Sequence, residues 1–465
     1  MVRGSIVSPF PVRLQPPGSR PAIDAPPWRH DIAAMPSTAP GYRAAVRLGV
    51  ALGSVAGLFD PKLRTGDRGR REAGGRLGAW GLTGRDRARS LVWFHASSVG
   101  EGLQAESVLL ELRRIRPDCQ VAYTHFSPSA TSLARRLPVD VADYLPYDLP
   151  GEVDRLLDAL APDLLVFSKL DLWPELAIRA AARQVPVTIV AGTVSRGSGR
   201  LRWPARPLLA PGYAAVHSAA AISQEDGERL VQLGVPQGRI RVLGDPRFDS
   251  AASRVAGVSP DDPLLRFGRG APTLVAGSTW PPDEAVLLAA FAAVRTRRKD
   301  ARLILVPHEP TPDHLLAVER RAARAGLPVP TRLGAADGPV PLLLVDRVGA
   351  LATLYGASTM AYVGGGFGRA GLHSVLEPAA WGLPVAFGPR WQQSRDAELL
   401  LHARGAAALE SRGGAAAGAE LARLWDRWMA DDSERAAEGR RARAVVTAGL
   451  GAARRSAQWL AEIIS

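Results

Sequence analysis

The stretch VGGGFGRAGLHSVLEPAAWGLPVAFG, from Val363 to Gly388, begins at the end of an apolar strand, Met360–Val363. It continues through a glycine-rich turn and a helix to a second apolar strand, Pro384–Phe387. Two strands that are joined through a helix in this way lie parallel in one sheet. The same alternation of short apolar runs and helical segments begins at Leu91 and recurs along the chain. The sequence therefore predicts an α/β fold, with a parallel sheet and helices on both of its faces.

The alternation falls into two blocks, and the segment between them, which contains GVSPDDP, has the composition of a linker. The predicted strands are LVWFHA, QVAYTHF, DLLVFS, VPVTIVAG, AAVHSAAAIS and IRVLGD in the first block, and PTLVAGS, ARLILVPH, VPLLLVD, TMAYVGG and LPVAFG in the second. We predict two Rossmann-like doubly wound domains, at 77–250 and 271–465, with a linker at 251–270 and terminal helices in the second block. Such domains bind substrates in the cleft between them, at the carboxyl ends of the strands.

The composition is that of a globular protein, with 46% hydrophobic and 22% charged residues. Cys119 is the only cysteine of the chain, which excludes an intrachain disulfide and a cysteine-rich metal site and suits a reducing cytoplasm. The sequence has no run of eighteen apolar residues, so it predicts no membrane-spanning helix.

The net charge of +13 is concentrated near the N-terminus, where residues 1–94 hold fifteen Lys and Arg against six Asp and Glu. Residues 1–40 are rich in proline and without periodicity, which predicts a disordered extension. The segment 41–76 combines an apolar run with many arginines, which predicts an amphipathic helix at an anionic membrane surface. The alternative is a helix packed on its own domain. We expect no nucleic-acid partner, because the interleaved aromatic residues of such proteins are missing.

Polar residues follow the predicted strands of the first domain. Glu101 comes after LVWFHA and begins a helix, so it is either a general base or an acid that complements the helix dipole. Lys169 and Asp171 follow DLLVFS and either face the cleft or belong to the outer surface. Arg247 closes the last strand; it binds a carboxylate or phosphate if it points inward, and is otherwise an exposed turn residue. We predict Glu101, Lys169 and Arg247 as residues of a catalytic site.

The loops after the strands of the second domain predict a nucleotide site. His308 ends ARLILVPH, and it either donates to a phosphate or serves a structural role. Glycines such as Gly365 and Gly366 permit close approach of the backbone, and a helix from about Leu372 would aim free N–H groups at an anion. Glu377, about one turn into that helix, is suitably placed for ribose hydroxyls. The stretch lacks the G-x-G-x-x-G dinucleotide pattern, so a nucleotide-sugar donor fits better than NAD.

Taken together, these stretches resemble the Kdo transferases, which add 3-deoxy-manno-octulosonate to a lipid A precursor. The resemblance extends from about Tyr42 to the C-terminus. It rests on HASSVGEG, YLPYD, LDLWPEL, ISQEDGERLVQLGV, LLVDRVGAL and GLHSVLEPAAWGLPVAFGP, in that order along the chain.

The resemblance implies a GT-B fold with an acceptor-binding first domain and a donor-binding second domain. It implies an inverting transfer from CMP-Kdo at the cytoplasmic face of the inner membrane, without a catalytic metal or a resident cofactor. Glu101 corresponds to the base of the family. The expected contacts with the CMP part of the donor are Pro307, His308, Val348, Gly349, Ala350, Gly365, Gly366, His373, Ser374, Val375, Leu376 and Glu377.

The chain also departs from the family pattern. Lys169 stands where the family motif has a glutamate, which reverses a charge in the predicted cleft. Ser374 replaces an asparagine, His308-Glu309 replaces an Arg-His pair, and Arg247 replaces a lysine. Two alternatives therefore stay open: a related GT-B enzyme with another lipid-linked acceptor or acidic sugar donor, and a catalytically weakened membrane-bound binding protein.

Overall fold

The computed structural model of the chain describes residues 37–368 and 371–464, so the predicted extension over residues 1–40 lies almost wholly outside the described residues. The described residues belong to one compact unit. They build two seven-stranded sheets with helices packed against them. This confirms the predicted fold class, two doubly wound α/β domains with a C-terminal helical segment.

The first sheet has the strand order β3-β2-β1-β4-β5-β6-β7, and all its neighbouring strands are parallel. Its strands are β1 (Leu91–His95), β2 (Gln120–His125), β3 (Val141–Tyr144), β4 (Leu164–Ser168), β5 (Val187–Gly192), β6 (Ser218–Ala221) and β7 (Ile240–Val242). The central strands β1, β2, β4 and β5 are buried at every position. Burial on both faces explains why they read as continuous apolar runs in the sequence.

The second sheet has the strand order β10-β11-β9-β8-β12-β13-β14 and is also parallel throughout. Its strands are β8 (Thr273–Thr279), β9 (Arg302–Pro307), β10 (Thr331–Arg332), β11 (Leu342–Leu344), β12 (Met360–Val363), β13 (Val385–Phe387) and β14 (Ala406–Ala408). In both sheets the strand order reverses beside the first strand of the domain. The reversal lies between β1 and β4 in one sheet and between β8 and β12 in the other.

Three strands were not predicted from the sequence: β3, β10 and β14. All three lie at an edge of a sheet and have few fully buried positions. An edge strand that is covered on fewer sides does not need a continuous apolar run, so its sequence carries little signal.

The helices follow the strands and cover the sheets. They are α1 (Pro40–Ala56), α2 (Pro61–Thr83), α3 (Val99–Ile115), α4 (Thr131–Ala134), α5 (Pro150–Leu160), α6 (Pro174–Ala182), α7 (Ala205–Ala214), α8 (Gln224–Leu233), α9 (Pro246–Ala256), α10 (Pro281–Arg297), α11 (Pro312–Arg324), α12 (Leu351–Gly356), α13 (Leu376–Trp381), α14 (Arg395–His402), α15 (Gly414–Ala430), α16 (Asp432–Gly449) and α17 (Ala452–Ile463). Within the described ranges, none combines the length and apolar character that a membrane span requires.

The connections between the two domains are helical. The segment 251–270 holds the second half of α9 and a 3-10 turn at Pro263–Gly268. Helix α17, at the end of the second block, packs on the first domain, where Ala457 and Leu460 join a core that contains Ala105 and Val108 of α3. The chain therefore crosses between the domains twice, once through α9 and once before α17.

The segment 41–76 spans most of α1 and the first part of α2, and the two helices differ in burial. Helix α1 has no buried residue, whereas α2 buries Ala73 and Leu77. The outer side of α1 and the turn after it expose an apolar patch of Leu48, Leu52, Val55, Leu58 and Phe59. Helix α2 is thus packed into the domain, whereas α1 lies on its surface and contacts it mainly through its first residues, Tyr42 and Arg43.

Candidate active site

Glu101 lies where β1 leads into α3, and its two carboxylate oxygens have different surroundings. Ser98 caps α3, and its backbone N–H donates to Glu101 Oε2 over 3.0 Å in a capping box. The side-chain hydroxyl of Ser98 bonds to the same oxygen. Glu101 Oε1 lies 3.7 Å from the Nζ of Lys169. Glu101 therefore caps the N-terminus of α3 with Oε2, and its Oε1 faces the cleft.

The surroundings of Glu101 raise the pKa of its carboxyl above the usual range. Burial is the largest cause, the neighbouring Asp171 carboxylate adds to it, and Ser98 and Lys169 oppose it. A carboxylate with a raised pKa is a better proton acceptor near neutral pH. The local electrostatics thus fit the general-base role that the sequence predicts for Glu101.

Lys169 and Asp171 both lie in the cleft rather than on the outer surface. Lys169 follows β4 directly, at the reversal of the strand order, and has a φ of +63°, a conformation that non-glycine residues seldom adopt. Asp171 accepts the backbone N–H of Ser97 over 3.3 Å and lies 3.5 Å from the Nη2 of Arg200. This loop between β4 and α6 therefore lies against Glu101 with one positive and one negative side chain.

A cleft of about 480 Å³ opens beside Glu101 and is lined by both domains. Its charged lining residues are Glu101, Lys169, Asp171, Arg200, Asp226, Arg229, Arg247 and Arg395. Five of these eight side chains are cationic, and the charge of one of them, Arg247, is offset by two further carboxylates, Asp245 and Asp396.

Arg247 reaches the cleft, but carboxylates from both domains already hold its guanidinium. Its Nε and Nη2 donate to Asp245, with Nη2 at 2.6 Å from Oδ2. Its Nη1 and Nη2 donate to Asp396 at the start of α14, over 2.8 and 2.9 Å. These bonds leave one N–H of Nη1 without a partner from this pair. The structure thus shows Arg247 as a bridge between the domains.

A second cluster lies at the carboxyl ends of β8, β9 and β12. His308, directly after Pro307, is exposed, and its ring stacks on His373 at 4.4 Å and on Trp280 at 4.9 Å between centroids. The indole Nε1 of Trp280 donates to His373 Nε2 over 2.9 Å. Burial and the neighbouring His308 lower the pKa of His373 to about 4. The ring of His373 is therefore neutral near pH 7. His308 and His373 were predicted from the sequence as site residues, and Trp280 was not.

The glycine-rich turn is packed more tightly than an open cradle. The backbone N–H of Gly365 donates to the buried Asp283 over 3.0 Å, and Gly365 has a φ of +95°. A Cβ on Gly366 would lie only 2.6 Å from the backbone N of Gly388. These glycines allow close backbone packing inside the domain, and the N–H of Gly365 is not free for a ligand.

The prediction of a helix from about Leu372 was wrong, because α13 begins at Leu376 and has six residues. Ser374 is exposed, and its Oγ accepts the backbone N–H of Leu376 over 3.4 Å. Val375 and Leu376 are buried in the core under this loop, so their side chains do not face a ligand. A short helix of this kind has little dipole to offer an anion.

Glu377 lies in the first turn of α13 rather than one turn in, and its carboxylate forms an ion pair with Arg254 of α9.

The third predicted loop, after β11, is mixed in character. Val348 is 80% exposed, Gly349 has a φ of +89°, and Ala350 is buried where α12 starts. Of the predicted nucleotide residues, the structure brings His308 and His373 into direct contact.

Several residues of these clusters were missed by the sequence analysis. Trp280 comes two residues after the predicted strand PTLVAGS and directly after β8, and the rule that strand ends carry function would have found it. Asp283 stands at the third position of α10, a place that is typical of capping acids. Asp396 and Arg395 gave no local signal, because only the packing of α14 brings them to the cleft. Among the described residues, no three His, Cys, Asp or Glu side chains gather as metal ligands.

Comparison with known proteins identifies the family. A family model described as 3-deoxy-D-manno-octulosonic-acid transferase (kdotransferase) matches residues 71–250. The 3-deoxy-D-manno-octulosonic acid transferase of Bordetella pertussis is 30% identical over 389 residues, which cover 78% of this chain and 85% of that protein. This chain belongs to the Kdo transferase family. The Kdo transferase of Haemophilus influenzae is 25% identical over 307 residues, covering 64% of this chain and 70% of the relative.

Solved structures confirm the GT-B fold of this Kdo transferase family member. UDP-GlcNAc 2-epimerase from Neisseria meningitidis, bound to UDP-GlcNAc, is similar with a TM-score of 0.56 and 10% identity, covering 81% of this chain and 99% of that chain. A glycosyltransferase from Rickettsia africae gives a TM-score of 0.55 and 12% identity with the same coverage. Family membership makes the protein a glycosyltransferase, as its sequence motifs predicted.

Proposed function

We propose that this protein is an inverting glycosyltransferase that moves Kdo from CMP-Kdo to a lipid A precursor in lipopolysaccharide core biosynthesis. The observation that carries the proposal is Glu101. One of its oxygens faces a cleft lined by both domains, beside Asp171 and Lys169. The matches to Kdo transferases supply the transferred sugar. CMP-Kdo as the donor and a lipid A precursor as the acceptor are what the family resemblance implies.

In the proposed step, Glu101 takes the proton of an acceptor hydroxyl. That oxygen forms a bond to the anomeric carbon of Kdo as the bond from this carbon to the CMP phosphate oxygen breaks. The electron pair of the broken bond leaves with CMP, and the proton stays on the Glu101 carboxyl. Transfer through an oxocarbenium-like transition state, with attack opposite the leaving group, inverts the anomeric centre.

The charge of the cleft suits the reactants. Kdo carries a carboxylate, CMP a phosphate, and a phosphorylated lipid adds further negative charge. Lys169, Arg200 and Arg395 line the same space and are not bound by carboxylates as tightly as Arg247 is. Lys169, in place of the family glutamate, partly offsets the negative charge of Glu101 and Asp171 and does not remove the base.

We assign the donor to the second domain, as the sequence predicts. His308, His373 and the exposed Ser374 lie at the ends of β9 and β12, beside the reversal of the strand order where open α/β sheets bind ligands. The reaction as proposed uses CMP-Kdo as a donor substrate and no resident cofactor or metal.

We place the protein at the cytoplasmic face of the inner membrane, held by the apolar patch on α1. Leu48, Leu52 and Val55 follow each other at helical spacing and are 59–61% exposed, and Phe59 in the turn is 86% exposed. Arg47 and Lys62 are exposed nearby, where they would meet lipid phosphates.

The start of α1 is tied to the helix that follows the Lys169 loop. Tyr42 donates to Asp148 over 2.8 Å, and Asp148 in turn accepts the first N–H groups of α6, from Glu175 and Leu176, each over 2.8 Å. Arg43 pairs with the buried Glu175. A membrane-bound α1 would therefore hold the acceptor side of the cleft close to the lipid surface.

The test of the transfer reaction uses the full chain with CMP-Kdo and a tetraacylated lipid A precursor, with products followed by mass spectrometry. We expect the acceptor to gain the mass of one or more Kdo residues and CMP to appear in equal amount. Transfer only to other lipid-linked acceptors would support the related-enzyme alternative. Absence of transfer from CMP-Kdo to any acceptor would overturn the proposal.

The test of the membrane assignment uses sedimentation with anionic liposomes. The variant Leu48→Ser/Leu52→Ser/Phe59→Ser should bind several-fold less, because it removes apolar area that the bilayer would bury. Leu82→Ser is the matched control, since Leu82 is 89% exposed but lies at the far end of α2. Equal binding by the triple variant and the unaltered protein would contradict the assignment.

A further inference from the structure

Trp280 and His373 form a hydrogen bond that determines which ring nitrogen of His373 carries the proton. The indole Nε1 of Trp280 lies 2.9 Å from His373 Nε2, and the two rings are nearly coplanar, with an interplanar angle of 12°. The residues are 93 positions apart. Trp280 follows β8 directly, and His373 lies in the loop from β12 to α13, where its backbone N–H bonds back to Gly364 next to the end of β12. The bond therefore joins the two strands between which the strand order of the second sheet reverses.

An indole N–H can only donate a hydrogen bond. His373 Nε2 must therefore accept, so it carries no proton, and the proton of the neutral ring is on Nδ1. The ring is neutral near pH 7, since burial and His308 hold its pKa far below that value. The backbone N–H of His373 donates to Gly364 O over 3.1 Å, which fixes the position of the residue as well.

The Nδ1–H of His373 is left as a donor without a protein acceptor within the part of the chain that the structure describes. The ring of His308 stacks on one face of the His373 ring and so does not cover the ring edge that carries Nδ1. A donor that is fixed in orientation and not satisfied by the protein is suited to a ligand oxygen, because little ordering is needed on binding.

We propose that Trp280 is a positioning residue that holds His373 in the Nδ1–H tautomer, and that His373 donates from Nδ1 to a phosphate oxygen of a cytidine nucleotide. This inference rests on the proposed function for the identity of the nucleotide. The tautomer itself does not depend on that function. Trp280 acts through His373, and its indole needs no contact with the ligand.

The first experiment is nitrogen NMR of the protein with ¹⁵N-labelled histidine, with the signals of His373 assigned by comparison with His373→Asn. We expect the unaltered protein to show a protonated Nδ1 and an unprotonated Nε2 at neutral pH. Trp280→Phe keeps an aromatic ring but removes the donor, so His373 should shift toward the Nε2–H tautomer. An Nε2–H tautomer in the unaltered protein would overturn the proposal.

The second experiment is calorimetric titration with CMP and with cytidine. Trp280→Phe should raise the Kd for CMP by about 3- to 10-fold, the usual effect of one hydrogen bond, and should leave the Kd for cytidine nearly unchanged. His373→Asn, whose amide places a donor near the position of Nδ1, should retain more CMP affinity than His373→Gln. Trp173→Phe is the matched control, because Trp173 donates to His95 Nε2 over the same 2.9 Å in the first domain.

The outcomes separate this inference from the proposed function. If the unaltered protein binds CMP and transfers Kdo while Trp280→Phe binds CMP equally well, the function stands and the inference is wrong. If the unaltered protein does not bind CMP, the proposed function loses its donor, and the assignment of a phosphate ligand to His373 is overturned with it.

Discussion

Glu101 and Asp283 occupy the same position in the two domains, and only one of them faces the cleft. Each is the third residue of the helix that follows the first strand of its sheet, and each accepts the backbone N–H of the residue before the helix, Ser98 and Trp280 respectively. Asp283 is fully buried and also accepts from Tyr362 and Gly365. Asp283 is therefore saturated by the protein, whereas Glu101 keeps one oxygen for the cleft.

The tryptophan–histidine pairs of the two domains repeat this contrast. His95 is fully buried, accepts from Trp173, and has Thr124 at 3.0 Å from its Nδ1, so both ring nitrogens are satisfied within the core. Burial lowers the pKa of His95 to about 3, which keeps the ring neutral. His373 also has an indole donor, and its second nitrogen has no partner among the described residues. The two pairs have exchanged places, since the histidine belongs to the first strand in one domain and the tryptophan follows the first strand in the other. The same type of bond thus lies within the core of the first domain and leaves a donor available in the second.

The largest expected effect is that of Glu101→Gln on turnover. Gln cannot take the acceptor proton, so kcat should fall by about 10²- to 10⁴-fold. Gln still forms a capping box, so the free energy of unfolding should change by less than about 1 kcal/mol. Product formation measured by mass, together with urea unfolding, checks both statements. Retained turnover would remove Glu101 from the role of base.

Asp283→Asn should change stability instead of chemistry. Asn can turn its amide oxygen to the two N–H groups, which share Oδ2, and its NH₂ to the hydroxyl of Tyr362. Three charge-assisted bonds then become neutral ones, so the free energy of unfolding should fall by about 1–2 kcal/mol. Urea unfolding of this variant and of Glu101→Gln, side by side, measures the difference between the two equivalent positions. Similar losses of stability in both variants would show that Glu101 is also a structural residue. That result would contradict the difference proposed between the two positions.

Lys169→Met should move the pH profile of transfer. The base is active only when it is ionised, so kcat/KM falls as pH drops through the pKa of Glu101. Removing the positive charge, which lies 3.7 Å from Oε1, raises that pKa and shifts the acidic limb to higher pH. Lys169 is 42% exposed, so solvent screening limits the size of the shift. An acidic limb that does not move, or one that Lys299→Met moves equally, would contradict this reading.

The smallest expected effect separates the two tryptophans. Trp173→Phe removes one buried hydrogen bond to His95 and should lower the free energy of unfolding by about 1 kcal/mol, with no effect on the Kd for CMP. Trp280→Phe should change stability less, since its partner His373 is only partly buried whereas His95 is fully buried, and it should weaken CMP binding. Thermal unfolding and CMP titration of the two variants give the comparison. Reversed effects would mean that the first domain binds the nucleotide.

The sequence by itself determined the alternation of strands and helices, the two domains, and the strand-end positions of Glu101, Lys169, His308 and His373. These features are encoded locally, because a buried parallel strand must be an apolar run and its carboxyl end must be a loop. The family motifs added the donor and the acceptor class. Local sequence also explains the errors at the edge strands, which are short and partly exposed and so have no such run.

Only the tertiary structure decided which of these side chains keep a hydrogen-bonding atom available for a ligand. Arg247 meets Asp396 across 149 residues, Trp280 meets His373 across 93, and α17 packs on α3 of the other domain. The carboxylate of Glu377 is occupied by Arg254, which the spacing of the sequence does not show. Such pairs form only when the elements pack together. The partners come from elements that are distant in sequence, and the local pattern of one element does not depend on the other.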